Sequence, residues 1–174
     1  DLIVKRSGLK PKLLRRRINM RIFNTYDSPV GRMIMCCENG GITDLCFEKD
    51  FHVIGLKKGE ADVFELCRQE LDSYFAGNLK KFPVPLNLKG TAFQRRVWEQ
   101  LMKIPYGETA TYQDIAVKIG NPKAFRAVGS ANNANRVLIV VPCHRVIGLN
   151  GNLKGYSAGF EIKQYLLDLE RSSK

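Results

Sequence analysis

Short runs of β-branched, aromatic and sulfur-containing residues at 22–26, 32–37 and 42–47 predict three strands. Asn39, Gly40 and Gly41 supply a turn between the second and the third. Beyond them the apolar period lengthens: Val63, Phe64, Cys67, Leu71 and Tyr74 recur three or four residues apart, which predicts a helix over 61–75 with those side chains inward. Residues 82–88 contain Pro83 and Pro85, which cannot donate to a sheet ladder, so this stretch is expected as an edge strand or a linker. A second domain is expected to begin near Lys89.

Within that second domain, Thr91-Ala92-Phe93-Gln94 has the pattern of a capping box and opens a helix with Phe93, Val97 and Leu101 on one stripe. Another helix follows Thr111, carries Ile115, Ala116 and Ile119 and ends at Gly120. Asn121 is expected to cap the next, with Pro122 at its first position. Two helices joined this tightly suggest helix-turn-helix geometry, although the spacing alone fits an ordinary helical hairpin better. Val137-Leu138-Ile139-Val140-Val141 is too short for a helix and is stopped by Pro142, so it is expected as a buried strand. Asn150-Gly151 marks a turn in a loop that can serve as a wing. Ile162, Tyr165, Leu166 and Leu169 outline a last helix. The fold class is therefore α/β. A small N-terminal α/β domain with a mainly antiparallel sheet is expected over 22–88 and a mostly helical domain over 89–174, a winged helix-turn-helix if the helix pair and the 150–151 loop are read as the family resemblance below implies.

Charge adds a third segment. Of the net charge of +11, residues 1–21 hold seven units: Lys5, Arg6, Lys10, Lys12, Arg15, Arg16, Arg17 and Arg21 stand against Asp1, leaving +4 for the rest. Residues 1–21 are expected as a flexible basic tail, whose readings are a phosphate-binding arm, a nuclear localisation signal or a solvated charge run. The first residue is Asp1 rather than Met, which suggests trimming or processing, and Met20 is a candidate alternative start. No signal-peptide core and no stretch of about 20 apolar residues occurs, so an intracellular protein without a membrane span is expected. Five cysteines without paired spacing fit reduced thiols, and neither a metal nor a cofactor is expected.

Candidate chemistry centres on Pro142-Cys143-His144-Arg145. A thiol with a reference pKa near 8.5 is only about a few per cent thiolate at neutral pH, so a nearby imidazole would raise its reactivity. The competing reading is that Cys143 packs as a small hydrophobe. Adjacent strand residues point to opposite faces, so a Cys143–His144 contact would need a bend or a bridging water. Glu170 lies four residues after Leu166, on or near the apolar face of the last helix and close to the negative end of its dipole. There it wants a cationic or hydrogen-bonding partner, and His52 and His144 are the two histidines available. A solvated glutamate or an arginine pair accounts for it equally well.

Val141-Pro142-Cys143-His144-Arg145-Val146, then Gly155-Tyr156-Ser157-Ala158-Gly159, then Lys163 and Leu166 to Glu170, resemble the active-site segment of O6-alkylguanine-DNA alkyltransferases. Tyr112-Gln113-Asp114-Ile115-Ala116 and Asn121-Pro122-Lys123-Ala124-Phe125-Arg126-Ala127-Val128-Gly129 are similar to that family's DNA-binding helices. About the last 85 residues carry the resemblance densely. It implies a repair protein that moves an alkyl group irreversibly from guanine O6, and also from thymine O4, to Cys143. His144 would deprotonate the thiol through a water, Glu170 would orient the imidazole and Asn135 would brace the network. Tyr112 would assist protonation of the departing guanine at N3, and Ser157 would bond O6. The carbonyls of Cys143 and Val146 would take the guanine amino group. Tyr156 joins the substrate-binding set, and Ala158 and Leu138 would shape an alkyl pocket with room for groups larger than methyl. Arg126 would replace the extruded nucleotide, with Lys123, Ala124, Ser130 and Arg145 also at the DNA. The implied partner is double-stranded DNA containing alkylated guanine, bound by a monomer in the nucleus of a eukaryote or otherwise in the cytoplasm.

Two departures from the family matter. Asn135 is followed by Arg136 where the family commonly has proline, which is expected to loosen the loop before the cysteine. Phe125 is bulkier than usual and is expected to face the core. Two other functions compete with alkyl transfer: a non-catalytic alkylated-DNA binder or helix-turn-helix regulator, and a cysteine hydrolase using Cys143, His144 and Asn135. Cys143 itself argues against the first, and the lack of a Gly-rich oxyanion segment argues against the second.

Overall fold

The structure, a computed structural model, describes residues 20–153 and 155–173, so the tail expected over 1–21 lies almost wholly outside the described residues. It divides into two compact units between Leu88 and Lys89.

In the first unit, strands β1 (Ile22–Ser28), β2 (Gly31–Glu38) and β3 (Gly41–Phe47) pair antiparallel, and a two-residue strand β4 (Lys57–Lys58) adds parallel to β1, giving the order β3-β2-β1-β4. Asn39 and Gly40 take the left-handed conformation that the tight β2–β3 turn requires, at φ 52° and 77°. All of β3 and the middle of β2 are buried on both faces, which is why these strands read as continuous apolar runs. Ile34, Cys36 and Cys46 pack with Phe51, Phe23, Val53 and Leu56 on one side. Helix α1 (Asp62–Phe75) lies against the strands and buries Val63, Phe64, Cys67, Leu71 and Tyr74, the stripe expected, together with Glu70.

The 82–88 segment joins the sheet edge by one parallel bridge, Ile42 to Leu86, with Ile42 N donating to Pro85 O and Asn87 N to Ile42 O, each at 2.8 Å. Its prolines thus sit where no ladder donor is needed. Arg21 departs from the expected tail: its Nη2 donates to the buried Asp44 at 2.6 Å, so the folded unit begins before Ile22.

In the second unit, α2 (Ala92–Leu101) opens with the capping box: Gln94 N donates to Thr91 Oγ1 and Thr91 N to Gln94 Oε1. A short strand β5 (Ala110–Thr111) leads into α3 (Tyr112–Lys118), which opens with a second capping box, Thr111 with Asp114. After Gly120 at φ 76°, a single 3-10 turn Pro122–Ala124 enters α4 (Phe125–Asn133), completing the helix-turn-helix. The Asn121 side chain makes no cap bond; Gln113 Nε2 instead closes the turn by donating to Pro122 O at 2.9 Å. Trp98 Nε1 donates to Ala131 O at 2.8 Å and ties α2 to α4. Strand β6 (Val146–Ile147) pairs parallel with β5, and α5 (Phe160–Ser172) ends the unit.

The strand expected over 137–141 does not form. These residues are buried but make consecutive tight turns: Val140 N donates to Leu138 O, Val141 N to Val137 O and Cys143 N to Val141 O. Ile139 sits at φ 70°, a conformation costly for a β-branched residue that persists only where the surroundings impose it. Phe125 does not face the core either: it is 43% exposed, one turn before the buried Val128.

Candidate alkyl-acceptor site

Cys143 begins a single 3-10 turn, Cys143–Arg145, between the tight turns of 137–141 and β6. It is buried, and burial outweighs every opposing influence, so that its thiol is pushed up to about 11. Opposing groups surround the sulfur: a hydrogen bond from Asn135, the charge of Lys163 and the backbone N–H groups of Cys143 and His144 all favour thiolate. Asn135 Nδ2 lies 3.0 Å from Sγ and 2.9 Å from Val141 O, while its Oδ1 accepts from Val137 N at 3.0 Å. One buried side chain therefore holds both the strained turn and the sulfur. These bonds also span the loop that lacks proline at 136.

Lys163 is fully buried on α5 and donates to Val146 O at 2.6 Å. Burial lowers it to about 8, against the pull of Cys143. The ammonium thus serves twice, as a positive charge near the sulfur and as the donor that orients the Val146 carbonyl.

His144 is fully buried, and its Nε2 is 2.7 Å from Glu170 Oε1. Its Nδ1 is buried without a hydrogen-bond partner among the described residues. Burial lowers the imidazole pKa, the bond to Glu170 opposes this, and the charges of Arg145 and Lys163 add to the lowering. A neutral ring with Nε2–H held by the carboxylate leaves Nδ1 as the proton acceptor. Burial would raise Glu170, but the bonds and charges of His144 and Arg145 override it and hold the carboxyl well below the usual range.

Arg145, expected at the DNA, is instead internal. Nε and Nη2 donate to the two Glu170 oxygens at 2.9 and 3.0 Å, Nη1 donates to Ile104 O at 2.7 Å, and the guanidinium lies 5.7 Å from the Tyr106 ring centroid. A phosphate contact would have to break this buried fork, so Arg145 is removed from the DNA-facing set. Gly107 N completes the cradle by donating to Glu170 Oε2 at 3.0 Å.

Tyr112, at the start of α3, is half-buried, and its phenol is raised by burial and by Cys143, so it stays protonated at neutral pH. A Cβ on Gly155, which sits at φ 88°, would come 3.2 Å from the Tyr112 hydroxyl. The 155–158 loop is therefore brought to Tyr112, with Tyr156 and Ala158 buried and Ser157 exposed. In the 3-10 turn before α4, Lys123 is exposed and Ala124 half-buried, and on α4 itself Arg126 and Ser130 are exposed. Among the described residues no group of three or more His, Cys, Asp or Glu side chains could hold a metal, and all five cysteines are free thiols.

Residues 22–88 match the ribonuclease-like domain, and residues 92–172 the DNA-binding domain, of 6-O-methylguanine DNA methyltransferase. The chain belongs to that family. A methylated-DNA–protein-cysteine methyltransferase of Methanosarcina acetivorans is 48% identical over 155 residues, 84% of this chain and 96% of the relative. The constitutive enzyme of Bacillus subtilis is 44% identical, covering 88% of this chain and 98% of its own length. The crystal structure of Mycobacterium tuberculosis OGT in complex with DNA matches with a TM-score of 0.82 at 44% identity, over 87% of this chain and 93% of that one.

Family membership leaves several structural parts of the site unexplained by sequence motifs. Gly107 and Ile104, the contacts that Lys163 makes, and Arg145 as the arginine that pairs with Glu170 are read from the structure alone. One signal was present: Lys163 and Glu170 lie seven residues apart with Leu166 and Leu167 between them, the i, i+3, i+4, i+7 stripe that α5 buries.

Proposed function

We propose that this protein is a methylated-DNA–protein-cysteine methyltransferase that repairs O6-alkylguanine in DNA, and O4-alkylthymine with it, by irreversible transfer to Cys143. The observation that carries the proposal is the Asn135–Cys143 contact beside a His144–Glu170 pair whose free Nδ1 can accept a proton. The thiol proton passes through a water to His144 Nδ1, and the imidazolium formed is stabilised by Glu170. Sulfur attacks the alkyl carbon, the S–C bond forms, and the C–O6 bond breaks. Tyr112 donates to guanine N3, so the base leaves neutral, while Ser157 bonds O6.

Carbonyls of Cys143 and Val146 hold the exocyclic amino group, the latter oriented by Lys163. Tyr156 and Ala158 with Leu138 line the alkyl pocket. Because a lesion stacked in duplex DNA cannot reach a buried sulfur, the nucleotide must be extruded. Lys123, Ala124, Arg126 and Ser130 of the α4 region face the minor groove, with Arg126 filling the gap left in the stack. Working on chromosomal DNA, the protein acts as a monomer inside the cell. Among the described residues no helix is long and apolar enough to cross a membrane.

Mass spectrometry after incubation with duplex DNA carrying O6-methylguanine tests this. One persistent methyl on Cys143 is expected, with no turnover, because a thioether has no route back to thiol here. Cys143→Ser retains DNA binding and transfers nothing. An unmodified protein bound to the lesion would establish a damage binder instead, and repeated product release would establish a hydrolase.

A further inference from the structure

The solvent side of α4 is made of small or polar residues, Arg126, Ala127, Ser130 and Asn133, with one exception. Phe125, its first residue, is 43% exposed. The buried stripe of this helix is Val128, Ala131 and Asn132, so Phe125 extends that stripe one turn past the end of the core. Its ring has the Arg126 guanidinium 5.7 Å from its centroid. An aromatic ring left outside the core, on a basic helix and against the arginine assigned to the DNA stack, calls for an apolar ligand surface.

We propose that Phe125 is a second DNA wedge, which enters the minor groove beside Arg126 and packs against the base step and sugar next to the extruded nucleotide. This rests on the reading of α4 as the DNA-contacting helix. The chemistry is that of apolar side chains that partly unstack a base step from the minor groove, and charge complementarity with phosphate comes from the adjacent Lys123 and Arg126. The ring has a further effect within the protein. By holding the guanidinium over its face it restricts Arg126 to a conformation ready to stack, so less side-chain freedom is lost on binding.

The test compares single-turnover rates of the full chain on duplex O6-methylguanine and on free O6-benzylguanine, which engages the pocket without DNA. Phe125→Ala is expected to slow the duplex reaction about tenfold and to change the free-base reaction less than twofold, and Phe125→Tyr, which keeps the ring, to stay within twofold on both. With 2-aminopurine placed next to the lesion, Cys143→Ser protein should raise its fluorescence on binding, and Cys143→Ser/Phe125→Ala should raise it less. Equal losses on both substrates would assign Phe125 to the packing of α4 and overturn the proposal. An unchanged duplex rate for Phe125→Ala would overturn it too. Arg126→Ala separates the two levels: if it slows duplex repair while Phe125→Ala does not, the wedge alone is wrong, and if neither does, the DNA role of α4 fails with it.

Discussion

Replacing Glu170 by glutamine separates chemistry from architecture at the centre of the site. Four donors converge on its two oxygens: His144 Nε2, Arg145 Nε, Arg145 Nη2 and Gly107 N, all within 3.0 Å. A glutamine amide offers one oxygen, and its NH2 must meet at least one of these donors head on. The buried Arg145 guanidinium also loses its counter-charge, and breaking one side of a buried pair costs about 3–5 kcal/mol. Total stabilities run to about 5–15 kcal/mol, so Glu170→Gln is expected to melt roughly 10–25 °C lower than the parent while remaining folded in the cold. The carboxylate pKa is held below its unfolded value, so its contribution is present above about pH 4.3 and is lost as pH falls through the lower folded value. The deficit of the variant should therefore shrink in acid.

Chemistry should suffer separately. Without the carboxylate the ring is free to adopt the tautomer that protonates Nδ1, and the imidazolium loses its support, so alkylation by free O6-benzylguanine at low temperature should fall by about 10–100-fold. Glu170→Gln combined with Arg145→Met removes both charges and should regain much of the stability but none of the rate. The assays are thermal melts across pH and single-turnover alkylation of Cys143 at a temperature where every variant is folded. A Glu170→Gln protein that melts within 2 °C of the parent and reacts at the parental rate would refute the whole account of this network.

Further outcomes follow from other positions. Glu70, buried on α1 with Oε2 accepting from Val84 N, is pushed up to about 7 by burial, so the folded state holds its proton more tightly than the unfolded chain. Stability is then lost as pH rises from about 4.3 through 7, and Glu70→Gln should restore about 1–3 kcal/mol at pH 8 and nothing at pH 4 in denaturant titrations. Asn135→Ala removes the side chain joined to Val137, Val141 and Sγ, and should raise the thiol pKa and slow free-base alkylation, both read from the ultraviolet absorbance of the thiolate and from mass spectrometry. Deleting residues 1–19 should flatten the slope of log duplex affinity against log salt by roughly 2–3 units if the segment makes three phosphate contacts, and should leave free-base alkylation unchanged. Identical slopes would leave those charges to localisation or solvation.

What was legible in the sequence was what local patterns determine. The three strands, α1 and both ends of the helix-turn-helix follow from period, capping residues and glycine placement, and the helix-turn-helix carries Tyr112 and Arg126. The 137–141 run misleads for a physical reason. Apolar β-branched composition reports burial, which is correct there, but says nothing of the hydrogen bonds that must satisfy a buried backbone. A ladder would do so in a strand; here local turns and the side chain of Asn135 do it, and the cost is Ile139 at φ 70°. A single polar residue two positions before the run thus decides its conformation, and no periodicity records that.

The misreading of α5 has the same root. The expected stripe is Ile162, Tyr165, Leu166 and Leu169 with Glu170 on or near it, and Glu170 is indeed buried, but an apolar period does not register a lysine: the helix buries Lys163, Leu166, Leu167 and Glu170 and leaves Tyr165 40% exposed. The partners that make this burial tolerable come from residues 143–146: His144 and an arginine were already candidates for Glu170, whereas Val146 O for Lys163 is visible only once the chain has folded. These two ions are then not exceptions to the packing of α5 but its purpose. In the proposed mechanism one supplies charge beside the sulfur and the other sets the tautomer of the base, so burying both on a single helix face would tie assembly of that centre to folding of this unit.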